Sequence, residues 1–243
     1  MSDRPIIFSA TMIRALLDGR KRQTRRILKP QPFASGYYEG EIDVTKVGQS
    51  HMGGPSWRFN AQAVGVGAIL EEWAEPRFAV GDRLWVRETA RAEELTDGTD
   101  GVRYAADEAF IKIENSAEAA DRWGGLFAYR GKRGASVPSI HMPRWASRLT
   151  LIVDDVKLER LQDISEEDAV AEGAYVAKAS RRVADDYATK AIAGHWFATA
   201  RGWYRDLWSR IHGSEAWDRN PWVVAVTFRT VTANIAAPEA RAA

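Results

Sequence analysis

The apolar residues of this chain are gathered into short runs, and the spacing of those runs limits the folds open to it. Ile6-Ile7-Phe8 predicts a short buried strand. Ser9-Ala10-Thr11 then offers an N-cap, Met12, Ile13, Leu16 and Leu17 recur at helical spacing, and Asp18-Gly19 stops the helix. Further on, Gly81-Asp82 forms a turn into a strand carrying Leu84, Trp85 and Val86. The run from Arg148 to Val153 has the β-branched and apolar content of a central strand, continued by Val156 to Leu161. Ser165, Asp168 and Gly173 frame the clearest helix, with Ser165 as cap, Asp168 in a capping-box-like position and Gly173 as stop. Trp203 to Ile211 predicts an amphipathic helix, and Trp222 to Phe228 a buried strand. Short strands are thus mixed with short helices, without the βαβ alternation or glycine fingerprint of a dinucleotide fold. The expectation is an α+β fold built on a small barrel.

Three stretches interrupt this pattern. Residues 33–75 are rich in Gly and polar residues and show no sustained period, so they read as an irregular arm. A second insertion covers about 90–135, with a helix expected around Ala105 to Arg122, and a third covers about 177–201. One domain over 1–235 with these insertions, followed by a frayed tail over 236–243, is the predicted organisation.

Composition narrows the chemistry. The absence of cysteine excludes a disulfide scaffold, a thiol nucleophile and thiolate metal sites, leaving oxygen or nitrogen to do any covalent work. His51, His141, His195 and His212 lie far apart, with no ligand partner at zinc spacing, so no metal and no cofactor is expected. Phosphate-loop and serine-elbow motifs are missing. No stretch approaches the roughly 18 apolar residues of a membrane span, which predicts a soluble cytoplasmic protein without a membrane partner. With 34 Lys plus Arg against 33 Asp plus Glu, the charge balance argues against a general nucleic-acid coat. Tryptophan supplies 10 of the 25 aromatic residues, which points to large core or interface contacts.

Inside that balanced charge lies one concentrated cationic run: five of the seven residues from Arg20 to Arg26 are basic. A solvated charged face is its plainest reading. Lys21 and Thr24, three residues apart, share one side if the turn stays helical. A threonine hydroxyl needs a base, and like-charge repulsion from Arg20, Arg22, Arg25 and Arg26, together with burial, favours the neutral lysine that can serve.

Gly19-Arg20-Lys21-Arg22-Gln23-Thr24-Arg25-Arg26 resembles the signature of the ASCH domain, a PUA-like small β-barrel family. Val80-Gly81-Asp82-Arg83-Leu84 is similar to the family's Gly-Asp strand start, and Leu161 to Gly173 to its helix ending in Glu-Gly. The Trp-rich C-terminal segment ending in Asn220-Pro221-Trp222 is similar to that of large ASCH-type proteins of phages and prophages. The resemblance implies a PUA-like barrel with flanking short helices. Through one branch, the N4-acetylcytidine amidohydrolases, it implies a catalytic set falling on Lys21, Thr24 and Glu172. Arg22 stands where those enzymes more often have Thr, and this chain is much longer than their minimal domains.

On that resemblance the expected activity is hydrolysis of the N4-acyl amide of a modified cytosine nucleoside. Lys21 is the base, Thr24 the nucleophile and Glu172 the proton shuttle, or the three activate water directly. Backbone N–H groups after Gly19 or the Arg26 guanidinium would stabilise the oxyanion, and Trp85 would stack on the pyrimidine. Glu172 stands against the helix dipole beside a stop glycine, an unfavourable place for a purely structural carboxylate. Two other classes compete: an RNA-binding module gripping phosphates with the Lys21 to Arg26 cluster, and a phage accessory protein with a protein partner.

Overall fold

A computed structural model describes residues 2–34, 36, 38–49, 55–65, 68–174, 189–190, 196–197 and 199–242. The fold is α+β. In chain order its elements are β1 (Asp3–Ile7), α1 (Ala10–Leu17), β2 (Gln23–Ile27), β3 (Tyr38–Gln49), β4 (Pro55–Ala63), β5 (Ile69–Ala74), β6 (Arg83–Arg87), β7 (Ala90–Glu94), β8 (Asp100–Tyr104) and β9 (Phe110–Lys112). There follow α2 (Ala117–Phe127), β10 (Thr150–Arg160), α3 (Glu166–Ala171), β11 (Thr189–Lys190), β12 (Trp196–Phe197), α4 (Ala200–His212), β13 (Trp222–Val231) and α5 (Pro238–Ala242). Among the described residues no sheet closes into a barrel, and no helix is long and apolar enough to cross a membrane.

The chain forms two compact units, one of Arg22–Asp82 with Val153–Phe228, the other of Ser2–Lys21, Arg83–Ile152 and Arg229–Ala243. The first unit contains the sheet order β10-β13-β2, with β13 and β2 antiparallel and Val226 opposite Thr24. Its strands are apolar because they are buried: Val223, Val224, Ala225, Val226 and Phe228 of β13 are all in the core. The same unit holds a β3-β4-β5 antiparallel sheet where the sequence suggests an irregular arm. Trp57, Phe59, Ala61 and Ala63 alternate inward along β4, and the Phe59 and Trp222 rings meet edge to face at 5.0 Å. Alanine at two of the four inward positions weakens the period-two signal, which is why it is hard to read.

The second unit has the order β1-β6-β10, β1 and β6 being parallel and β6 and β10 antiparallel. Leu84 and Val86 of β6 are buried, and Gly81 at φ 84° makes the expected turn before it, with Asp82 accepting from Ala79 N at 3.1 Å. A further sheet, β7-β8-β9, packs with α2 around Val102, Tyr104, Trp123, Leu126 and Met142. The helix expected over 105–122 lies later than that. Ser116 caps it by accepting from Ala119 N at 3.2 Å, and the residues before it turn at Glu108, φ 58°, to fold β9 back on β8. Pro238–Ala242 is helical with Ala240 buried, where a frayed tail is expected. Most of the third insertion, residues 177–188, 191–195 and 198, lies outside the described residues.

Candidate active site

The cationic run is not a solvated face. Gly19, at φ 69°, ends α1 with Asp18 as C-cap, and four residues later the chain is already a strand. Lys21 and Thr24 therefore do not share a helical side; the helical spacing argument fails because β2 pairs with β13 from Gln23 onward. Burial then sorts the charges. Arg22 is exposed, whereas Lys21 is 2% exposed, Thr24 3% and Arg25 3%.

Buried charge demands partners, and the first unit supplies them to Arg25. Its Nε donates to Glu159 Oε1 at 2.7 Å, and a terminal nitrogen to Asp168 Oδ2 at 2.9 Å. The other terminal nitrogen donates to Gln23 Oε1 at 2.6 Å and to Glu172 Oε1 at 3.2 Å. Gln23 Nε2 in turn donates to Asp168 Oδ1 at 3.2 Å. Burial works against the Arg25 charge, but Glu172 and Glu159 outweigh it and hold the pKa above the ordinary arginine value. Lys157 Nζ lies 2.7 Å from Glu159 Oε2, an ion-pair distance outside hydrogen-bond geometry.

Local structure delivers Glu172 to this place. Ser165 caps α3 by accepting from Asp168 N at 3.0 Å. After one and a half turns Glu172 is the C-cap residue, and Gly173 at φ 106° turns the chain away. Arg22 N donates to Ala171 O at 2.7 Å, so the α3 end seats on the outer edge of β2 and satisfies a carbonyl the helix leaves open. Glu172, 2% exposed, is thereby one residue from that edge.

Two further side chains belong to this cluster. Tyr204 of α4 is buried with its ring centroid 5.8 Å from Arg25 Cζ, and burial, then the Glu172 charge, pushes its phenol well above the usual range, so it stays neutral. Arg26 has its pKa lowered by burial, with Glu172 and Tyr204 opposing. α4 is fixed to α3 by Glu166, whose Oε2 accepts from Ala200 N at 2.8 Å at the positive end of the α4 dipole.

The sequence-derived residues divide between the units. Thr24, Arg26 and Glu172 lie in the first, with Glu172 bound to Arg25 and felt electrostatically by Arg26. Lys21 and Trp85 lie in the second. Lys21 Nζ is 5.5 Å from the Phe8 ring centroid, and Trp85, half-buried on β6, carries the Arg87 guanidinium 5.3 Å over its ring. Sequence reasoning missed Glu159, Asp168 and Tyr204 as partners of the run. Glu159 carries no distinguishing signal, since its strand also bears Asp154, Asp155, Lys157 and Arg160; Asp168 was read only as a helix-start residue. His51 and His195 lie outside the described residues, and among the described ones no group of His, Asp and Glu has a metal-binding arrangement. No family model matches the chain, and no curated protein matches it.

Proposed function

We propose that the protein is an amidohydrolase that cleaves the N4-acyl amide of an N4-acylated cytosine nucleoside, on a PUA-like, ASCH-type core. What carries the reading is the delivery of a buried carboxylate, Glu172, to the edge of the strand that bears Thr24 and Arg26. A carboxylate in the core held at a helix C-terminus costs stability, and a fold keeps such a group where chemistry needs it.

In this reading Lys21, three residues upstream of Thr24, accepts the Thr24 Oγ proton, and the oxygen attacks the acyl carbonyl. Glu172 passes a proton to N4 as the C–N bond breaks, cytidine leaves with its amino group restored, and water cleaves the Thr24 ester to release the carboxylic acid. Arg26 faces the developing oxyanion. The buried state of the run also favours catalysis over phosphate grip, because the Arg25 charge is already matched by three protein carboxylates. The reading asks for no cofactor.

The test is incubation of purified protein with N4-acetylcytidine, with cytidine followed by chromatography. Wild type should release cytidine, and Lys21→Ala, Thr24→Ala and Glu172→Ala variants that remain folded by circular dichroism should not. Release by none of them, wild type included, or equal release by all four, would end the proposal.

A further inference from the structure

One cavity in the second unit does not involve the candidate catalytic set. It is a cleft of about 950 Å³ between β8, β9 and the start of α2 on one side and the 144–148 and 232–238 segments on the other. That volume falls within the range of small-molecule sites. Its inner wall is apolar, formed by Val102, Ile113, Ala119 and Ala146, with the half-buried indole of Trp145 beside them.

The wall is held in place before any ligand arrives. Asn234 Nδ2 reaches the carbonyls of Arg144, Trp145 and Ser147 at 3.0, 3.1 and 2.7 Å, while its Oδ1 accepts from Ala236 N at 2.9 Å. Tyr104 donates its hydroxyl to Ala146 O at 2.8 Å. These bonds fix the turn carrying Arg144 and Trp145, so its shape requires no ordering on binding.

The lining charges are one-sided. Lys112, Arg122, Arg144 and Arg148 face a single carboxylate, Glu114. Arg148 is matched by Glu88 and Asp107. Arg144 is not, since it shares Asp3 with Arg83 and the trio keeps one net positive charge. Arg122 meets Glu118 only across 3.6 Å on the exposed face of α2, and Lys112 has no ion pair among the described residues. An apolar wall with an aromatic face and a cationic rim matches one ligand class.

We propose that this cleft binds a small organic anion, its flat apolar body against Trp145 and its acidic group at Lys112, Arg122 and Arg144. The proposal goes beyond the hydrolase reading, and because Lys21, Thr24, Arg26, Trp85 and Glu172 are not among the lining residues, each can fail without the other.

The test titrates the full chain with 1-anilinonaphthalene-8-sulfonate and, in parallel, with N-phenyl-1-naphthylamine, its neutral counterpart without the sulfonate. Saturable sulfonate binding with Kd below about 100 μM and at least about tenfold weaker binding of the neutral dye are expected. The exposed double variant Lys112→Glu/Arg122→Glu should weaken sulfonate binding about tenfold with the urea midpoint unchanged, and Trp145→Ala should weaken both dyes. Displacement of the dye by cytidine 5′-monophosphate or by 1-naphthoate upholds the site and tells a phosphate-bearing from a carboxylate-bearing ligand. No saturable binding, equal binding of the two dyes, displacement by neither anion, or indifference to the double charge reversal overturns it.

Discussion

Two arginines are buried among carboxylates, one in each unit, and their settings differ in a way that separates support from chemistry. Arg148 forms a closed clamp. Its Nε and one terminal nitrogen bind the two oxygens of Glu88 at 2.8 and 2.9 Å, its terminal nitrogens bind both oxygens of Asp107 at 2.9 Å, and its Cζ sits 4.1 Å from the Tyr104 ring centroid. Arg25 is distributed instead of clamped, over Glu159, Asp168, Glu172 and Gln23, and its longest bond, 3.2 Å, goes to Glu172. Bidentate pairing uses up both oxygens of a carboxylate, whereas a single long bond positions one. The carboxylate at the end of that longest Arg25 bond is the one with a candidate reaction to perform.

The largest expected effect would break this contrast outright. Glu172→Gln should lower N4-acetylcytidine hydrolysis by about 10²–10⁴-fold, the range of a general acid or base, whereas Glu88→Gln should leave turnover per folded molecule unchanged. Rates measured on both variants, normalised to the folded fraction, decide it. Comparable losses would mean that both clusters are scaffolding.

Stability should show the complementary pattern. Arg148→Ala leaves Glu88 buried without its partner and should cost about 3–5 kcal/mol in urea unfolding; Arg25→Ala, which leaves three carboxylates together, should cost at least as much. The pairs diverge on repair. Arg148→Met with Glu88→Met removes the buried charge together with its partner and should recover most of the loss. Arg25→Met with Glu172→Met should not, since Glu159 and Asp168 both lose the Arg25 nitrogen they share. Urea midpoints of the four variants sharpen the comparison, and equal recovery would remove it.

The asymmetry was partly legible in the sequence. The helix stop at Gly19, the Gly81-Asp82 turn, the Ser165 cap and the apolar run of β13 are local signals, and the structure carries each of them. Thr24 and Glu172 enter as candidates through motif order and Arg26 as a candidate oxyanion donor, neither of which depends on geometry. Tertiary pairing was not legible: Gln23–Ile27 has the composition of a charged loop, and only β13 alongside makes it a buried strand. The carboxylate partners of Arg25 come from positions 159, 168 and 172, more than 130 residues away, a separation at which a single sequence carries no signal. The β3-β4-β5 sheet was hidden by alanines at its inward positions, and the cleft beside Trp145 by its assembly from five separate segments.

Acid should act on the clamp through Asp107. Its bonds from Arg148, against a smaller opposing effect of burial, hold its carboxyl below the usual aspartate range. The native pKa lies below the unfolded one, so this stabilisation is complete above about pH 4 and is lost as pH falls through the depressed native value. Urea unfolding between pH 7 and pH 3 should show a steeper acid decline for wild type than for Asp107→Asn. Parallel curves would remove Asp107 from the clamp's energetics.

The smallest effect tests the Arg25 side of the comparison, through the cation next to it. His212, at the end of α4, has its pKa lowered first by burial and then by the charge of Arg26, and its ring lies 4.2 Å from that of Trp208. The folded protein thus holds this imidazole neutral below its free value of about 6.5, and folding stability should fall slightly as pH drops through that value toward the native pKa. The side chain is largely exposed, which keeps the effect small. An imidazole titration by NMR, assigned with His212→Gln, gives the direct reading, and Arg26→Gln should move the His212 pKa upward by removing a nearby positive charge. A His212 pKa at or above 6.5, or one indifferent to Arg26→Gln, would place the Arg26 charge away from α4.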